Sequence, residues 1–456
     1  MKKGFYYSLF KIGFPITIEH IVISSGTLLD NIMVSSLGTE SVAAIGAIDK
    51  FLKIFWFIVF GISSAGSNFI SQFSVKKEKN YLKNVLGIML VINFIVAAIF
   101  TIISVIFSNS IVYSLTNIEN VAKIAKQYLL IISAAYFLNI ISVSISYALR
   151  GIGHTKDTVY SSFLFVFLNF SLNYLLIYGN YGFPKLGVAG AALGTVVAKL
   201  IECIFIISWV YYKKYEIAGK ISEFLSFSKR LFNHVLKIAA PYGLSSGFYS
   251  MGLFVYQIAF GRLGLHSMAA YAITSILDTI LMDMFHGLSG GTLILVGRSI
   301  GEKENEKSYT NAKKSLKAAL FLSLPLGLVI LVFANKIVNL YSIFASSLTG
   351  TSLSQESLLI TISMIKILGS LLFLKILNLV FLYGILGSGG DSLALLAIEN
   401  GSIWLIGIPI ILIFSSLNRS PQLIYIALYS EEVAKFILLL KRFRSKKWIR
   451  DLSSYL

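Results

Sequence analysis

Residues 84–118, 127–149, 158–184, 238–261 and 400–418 contain no Asp, Glu, Lys or Arg. A helix needs about 20 apolar residues to cross the hydrocarbon core of a bilayer, so stretches of this kind constrain the chain more than any other feature. Such runs read as spanning helices. Only 13% of the chain is charged and 56% is hydrophobic, against about a quarter charged in soluble domains. An ordinary cytosolic enzyme is excluded on that ground. Disorder is excluded by 34 Phe and 24 Tyr. Cys203 is the single cysteine, so neither an intramolecular disulfide nor a cysteine-built zinc or iron–sulfur centre is available. Met1-Lys2-Lys3 resembles the basic start of a signal peptide. The run that follows contains Pro15 and Glu19 and no small-residue cleavage site, so it reads as an uncleaved first span.

The pattern predicts an all-α integral membrane protein of twelve spans. They lie near 10–36, 43–74, 84–107, 123–149, 158–179, 187–212, 233–260, 266–297, 311–335, 357–386, 394–417 and 421–441. The net charge of +18 follows from topology rather than from a nucleic-acid partner. Of 39 Lys+Arg, 27 fall on one side: the N-terminal tail and the segments 76–83, 150–156, 213–237, 298–317 and 441–450. By the positive-inside rule that side is cytoplasmic, and both termini are expected there, in the cell (inner) membrane.

An internal repeat organises the spans. At an offset of 226 residues Pro15 meets Pro241, Ile32 meets Ile258, Leu37-Gly38 meets Leu263-Gly264, Ser41 meets Ser267 and Gly61 meets Gly287. A second echo sets Ala148-Leu149 and Gly153 against Ile385-Leu386 and Gly390. The expected organisation is two six-helix lobes, 1–212 and 233–441, with a basic cytoplasmic linker at 213–232 and a basic tail at 442–456. Six spans per half give parallel repeats about an axis along the membrane normal, a transporter arrangement. Pro15 and Pro241 each lie early in the first helix of a half, where a proline removes a backbone bond and kinks the helix. Moving or cavity-lining helices and passive packing are both readings of that pair.

An ionisable group inside lipid costs about 2.5–3.5 kcal/mol on insertion scales. Glu202 has Lys199 one turn before it and reads equally well as a structural pair. Glu399 lies near the start of its expected helix, where an acid is favourable. Asp30 is the sharper case, in Leu28-Leu29-Asp30-Asn31-Ile32-Met33 with no basic residue within a turn; its repeat partner is Tyr256. A lone carboxylate in a medium of low dielectric constant gains from taking up H⁺, or Na⁺ with neutral oxygens. An idle, hydrated acid near the outer end is the plainer alternative. Asp278 and Asp283 share the eighth span with His286 and are about 140° apart round the helix. Too few imidazoles accompany them for zinc, so no metal centre is expected beyond Na⁺ at Asp30. There is no Walker A sequence and no organic cofactor motif.

Several segments together resemble the multidrug and toxic-compound extrusion (MATE) family, in its prokaryotic branch. Leu149-Arg150-Gly151-Ile152-Gly153-His154-Thr155-Lys156-Asp157 is similar to the family's Leu-Arg-Gly-x-Gly-Asp-Thr-Lys loop, with His154 in place of Asp. Leu386-Gly387-Ser388-Gly389-Gly390-Asp391-Ser392 is a degenerate copy in the second half, and the Gly187–Thr195 run is also family-like. The resemblance implies V-shaped paired lobes and efflux of amphipathic, often cationic compounds in exchange for Na⁺ or H⁺. It also implies a cation site at Asp30, Asn169, Asn173 and Thr195. Asn173 stands where the family commonly has Asp, which leaves one carboxylate among neutral donors. Helix–helix hydrogen bonding is the other reading of the two asparagines, and a bond to its own backbone the other reading of Thr195. Asp278 falls where relatives often carry an acid. With Asp283 and Tyr256 it is nominated as a secondary cation or substrate contact. The seventh-helix acid of another branch is replaced by Tyr249.

The expected function is therefore a secondary-active antiporter, a transporter and not an enzyme, with small cationic organic substrates, membrane lipids as its surroundings and a monomeric state. The rivals are a lipid-linked oligosaccharide flippase of the same superfamily, which wants a basic cavity near Lys366 and Lys375, and an integral-membrane enzyme, which wants clustered His or acids at the interface.

Overall fold

The computed structural model describes residues 4–76, 79–116, 118–349, 354–417 and 419–452. They are helical almost throughout. In chain order the helices are α1 (Phe5–Ser35), α2 (Thr39–Ser74), α3 (Lys79–Ile106), α4 (Ser108–Leu115), α5 (Glu119–Ile132), α6 (Ala135–Ile152), α7 (Thr155–Tyr178) and α8 (Val188–Tyr212). The short α9 (Ile221–Leu225) lies in the linker. Then come α10 (Lys229–Arg262), α11 (Leu265–Gly301), α12 (Asn305–Thr349), α13 (Gln355–Leu379), α14 (Ser392–Ser402), α15 (Ile408–Ser416) and α16 (Pro421–Arg444). Each of the twelve expected spans has its counterpart. The fourth is broken into α5 and α6 at Ser133-Ala134. The tenth continues through a π-helical segment, Val380–Leu386, and the eleventh joins α14 to α15 through another, Ile403–Gly407. Among the described residues nine helices are long and apolar enough to cross a membrane by length and composition alone. Pro15 and Pro241 lie inside the unbroken helical runs of α1 and α10.

The repeat survives in backbone detail. Gly38 and Gly264 both precede a helix with positive φ, +100° and +106°. Ser41 Oγ donates to the Leu37 carbonyl at 3.4 Å, and Ser267 Oγ to the Leu263 carbonyl at 3.4 Å. The second echo holds as well. Gly153 N–H donates to Arg150 O and His154 N–H to Leu149 O, both at 2.8 Å; Gly390 N–H donates to Gly387 O at 2.9 Å and Asp391 N–H to Leu386 O at 3.1 Å. Paired bonds of this kind close a helix on a left-handed residue, which glycine adopts without a Cβ penalty.

The chain divides into two compact units. One comprises 14–247, 297–303 and 451–456; the other comprises 1–13, 248–296 and 304–450. The first is built on a core that includes Phe55 (0% exposed) and Tyr136 (2%), whose ring centroids are 4.6 Å apart. In the second, α12 and α13 pack closely where Gly327 faces the Gly369 backbone, a spot that a Cβ would obstruct. Lipid supplies no hydrophobic drive between helices, so close approach of small residues supplies contact instead.

Candidate functional site

Asp30, Asn169, Asn173 and Thr195 come together in the first unit. Asp30 is half-buried on α1. Asn169 and Asn173 are 2% and 1% exposed on one face of α7, four residues apart as a shared face requires. Asn173 Nδ2 donates to Asp30 Oδ1 at 2.8 Å. The Asn169 amide bridges Asp30 and Thr195: its NH₂ reaches the two carboxylate oxygens at 2.7 and 3.0 Å and its carbonyl accepts from Thr195 Oγ1 at 2.9 Å, the orientation that pairs every donor with an acceptor. α7 and α8 approach closely because the α8 residues here are small. A Cβ at Gly194 would strike Asn173 Oδ1. That oxygen is buried with no hydrogen-bond partner among the described residues. Asp30 makes no salt bridge with a described residue; the side chains that donate to it are neutral amides.

A second buried group in the same unit explains the motif after the fourth span. Arg150 Nη2 lies 2.8 Å from Glu19 Oε1, with the two side chains 9% and 4% exposed. Thr158 Oγ1 donates to Glu19 Oε2, Ser162 Oγ reaches Oε1 at 3.4 Å, and the guanidinium sits 4.6 Å from the Tyr147 ring centroid. The motif's arginine therefore clamps the first helix to α6 and α7. Its last residue, Asp157, accepts from Trp209 Nε1 at 3.0 Å and from Tyr215 Oη at 2.7 Å. His154, outside the spans, packs against Tyr215 with ring centroids 4.2 Å apart and the planes tilted by 38°. Partial burial pulls its imidazole below the usual 6.5, Asp157 opposes this, and Arg298 adds to it. Lys199 and Glu202 form the pair their spacing predicts, at 2.6 Å, with Ser161 Oγ donating to Glu202 at 3.1 Å.

The second unit holds a different cluster. Asp278 is paired with Lys375. Tyr256 Oη donates to Glu431 Oε2 at 2.6 Å, Lys435 Nζ lies 2.9 Å from Glu431 and 3.3 Å from Glu432, and Asn378 Nδ2 donates to Glu432 Oε2 at 2.7 Å. A cavity of about 70 Å³ is lined by Asp278, Lys375, Glu431, Glu432 and five tyrosines, including Tyr249 and Tyr256. Asp283 is half-buried farther along α11 and is not part of that lining. Glu399 is not at a helix start. It lies two turns inside α14 because that helix begins at Ser392, and Tyr383 Oη donates to it at 2.6 Å. In the degenerate motif copy, buried Asp391 takes Arg442 at 2.6 and 3.0 Å and Arg450 at 2.9 Å.

Glu19, Glu431, Glu432 and Asn378 were not nominated from the sequence. Glu431-Glu432-Val433-Ala434-Lys435 carries the i,i+3 and i,i+4 spacing of an ion-pair cluster, which is the signal that points to three of the cluster's members.

The MatE family model matches residues 15–175 and again 241–413, so its two copies begin at Pro15 and Pro241, the residues the internal repeat pairs. The chain belongs to the MATE family. This MATE protein is 25% identical over 445 residues to the uncharacterized transporter YisQ of Bacillus subtilis, covering 97% of this chain and 95% of that one. It is 27% identical to a probable multidrug resistance protein NorM of Bacillus licheniformis, over 72% and 73% of the two chains. Its fold matches a crystal structure of MATE in complex with MaL6 with a TM-score of 0.86 at 21% identity, over 98% of both chains. It also matches a MOP superfamily transporter from Pyrococcus furiosus, described by the reverse polarity of its binding pocket, with a TM-score of 0.85 at 20% identity, over 98% and 97%. The MATE chain is thus a multi-pass membrane transporter rather than an enzyme.

Proposed function

We propose that this MATE protein is a secondary-active exporter that exchanges amphipathic, cationic organic compounds for Na⁺ or H⁺, and that the coupling cation binds at Asp30. The observation that carries this reading is a half-buried carboxylate held by two amides, one of them bonded in turn to the Thr195 hydroxyl, with no salt bridge to a basic side chain among the described residues. Such a group keeps one unit of negative charge for an exchangeable cation. A proton would sit on Asp30 itself. Sodium, a hard cation, would take oxygen ligands from the Asp30 carboxylate, with Asn169 and Asn173 each turning its carbonyl inward in place of its NH₂. Thr195 holds Asn169 in either orientation, since a hydroxyl both donates and accepts.

The energy scale suits gating. An ionised side chain in the membrane interior costs about 2.5–3.5 kcal/mol on insertion scales. A binding event that removes that cost in one arrangement and not in another shifts their ratio by about two orders of magnitude. Phe and Tyr faces would attract organic cations at about 0.5–2 kcal/mol each. The flippase reading calls for a basic cavity near Lys366 and Lys375, but Lys375 is paired with Asp278, and Lys366 is exposed and is not part of the lining of the cavity that Lys375 enters. On the charge distribution of its loops the protein is read as lying in the cell (inner) membrane with both termini cytoplasmic.

Reconstitution into liposomes tests the assignment. A Na⁺ gradient and a pH gradient are imposed separately while export of a fluorescent organic cation is followed. One gradient is expected to drive export. No response to either would remove the antiport reading.

A further inference from the structure

Glu19 and Asp30 are eleven residues apart on α1. Eleven residues advance a helix by about 16 Å and return it to within about 20° of the same face. Both carboxylates therefore meet one neighbour, and that neighbour is α7. Glu19 takes hydrogen bonds from Thr158 and Ser162, and Asp30 takes them from Asn169 and Asn173. Each pair of donors is spaced i,i+4, and the second pair is the first moved on by the same eleven residues. Helices α1 and α7 thus run parallel and in register, with one carboxylate at each end of the seam. Gly26 lies between the two, where a Cβ would press on the Val166 methyl groups, so the helices touch along the length that joins them.

The two ends differ in how their charge is balanced. Glu19 is buried against Arg150 of α6, so that end of the seam stays ion-paired whatever occupies Asp30. The end of α6 is itself fixed, because a Cβ on Gly151 would overlap the Ser67 carbonyl of α2. A slip of one residue at Glu19 would move Asp30 about 1.5 Å along the seam and about 100° round it. That carries the carboxylate away from amides whose hydrogen bonds fail beyond about 3.5 Å. The internal repeat separates this role from simple pinning of a helix. At the 226-residue offset Ser245 stands for Glu19 and Tyr256 for Asp30, and Gly387 stands for Arg150 in the degenerate motif. The second half keeps its first helix without the pair, and that helix has no carboxylate to position.

We infer that Glu19 and Arg150 are positioning residues for the cation site: they set the register in which α1 presents Asp30 to Asn169 and Asn173. The inference rests on the reading of Asp30 as that site. The full-length protein is tested in proteoliposomes under whichever gradient, Na⁺ or H⁺, drives export of a fluorescent organic cation. Glu19→Gln with Arg150→Met removes both charges together, so neither is left buried alone. The cation concentration for half-maximal export is expected to rise about tenfold, the equivalent of one lost amide bond. The rate at saturation is expected to stay within about twofold of wild type, the mark of lost binding rather than lost turnover. Arg150→Lys keeps the charge without the guanidinium fork and is expected to raise the half-maximal concentration about threefold. Lys199→Met with Glu202→Gln is the control. That pair is similarly buried and reaches α7 through Ser161, with no bonding partner on α1, and its half-maximal concentration is expected to stay within about twofold of wild type. A wild-type half-maximal concentration in the first double variant, beside an Asp30→Asn variant that has lost its response to the gradient, overturns the positioning role. An equal shift in both double variants overturns it too, since loss of any buried pair then accounts for the effect. Asp30→Asn that follows the gradient as wild type does removes the cation site itself, and the inference with it. If Glu19→Gln with Arg150→Met folds poorly, Arg150→Lys is held to the same comparison.

Discussion

Asp30 and Glu431 mark two answers to one structural problem. The repeat places Tyr256 where the first half has Asp30. In the first unit the carboxylate sits on the first helix of its half and takes its bonds from neutral amides on α7. In the second unit the first helix of the half carries a phenol instead, and that phenol donates to a carboxylate on α16 which Lys435 also holds. Duplication kept the backbone, down to the paired turns at Gly153 and Gly390, and let the charges diverge. A carboxylate with a lysine beside it has its cation built in. One held only by amides must take a cation from solution or remain uncompensated.

The largest expected effect comes from breaking the built-in pairing. Lys435→Met leaves Glu431 and Glu432 buried without their ammonium. Loss of one partner of a buried pair costs about 3–5 kcal/mol, read as a fall in the thermal unfolding midpoint in detergent. Asp30→Asn should cost less than about 1 kcal/mol by the same measure, because it removes no ion pair. Equal destabilisation by the two variants would break the comparison.

Thr195→Val sharpens the first site. It removes one hydroxyl bond to the Asn169 amide, about 0.5–1.5 kcal/mol, and is expected to raise the cation concentration for half-maximal export about two- to tenfold with the maximal rate retained. The smallest effect belongs to His154. Its imidazole titrates lower in the fold than in the unfolded chain, so the unfolded state binds more protons between the two values. Stability is therefore full above about 6.5 and is lost as pH falls through that window. His154→Gln should flatten the acid limb of the unfolding midpoint against pH.

Much of this was legible in the residues. The apolar runs announce the spans, and Pro15 with Pro241 and Gly38 with Gly264 announce the duplication, because turns and prolines place hard demands on the backbone. The resemblance brought Asn169, Asn173 and Thr195 to Asp30, although 143 residues separate Asp30 from Asn173. Most of the partners that went unread are joined only by tertiary packing. Glu19 looked like an interruption in an apolar run until Arg150 closed on it, and Asp278 looked free until Lys375, 97 residues later, reached it. Glu431 and Glu432 lie in a stretch whose charges resemble a solvated helix face. Their near-complete burial, at 4% and 9% exposure, depends on neighbours that no local pattern encodes.

Under the proposed function Asp30 alone couples the cation to export. The direct measurement is gradient-driven efflux of a fluorescent organic cation from proteoliposomes containing wild type or Asp30→Asn at matched incorporation. The variant is expected to retain binding of the compound and its folded state but to lose the gradient's effect on export, a fall of at least about tenfold. Export by Asp30→Asn that responds to the gradient as wild type does would contradict it.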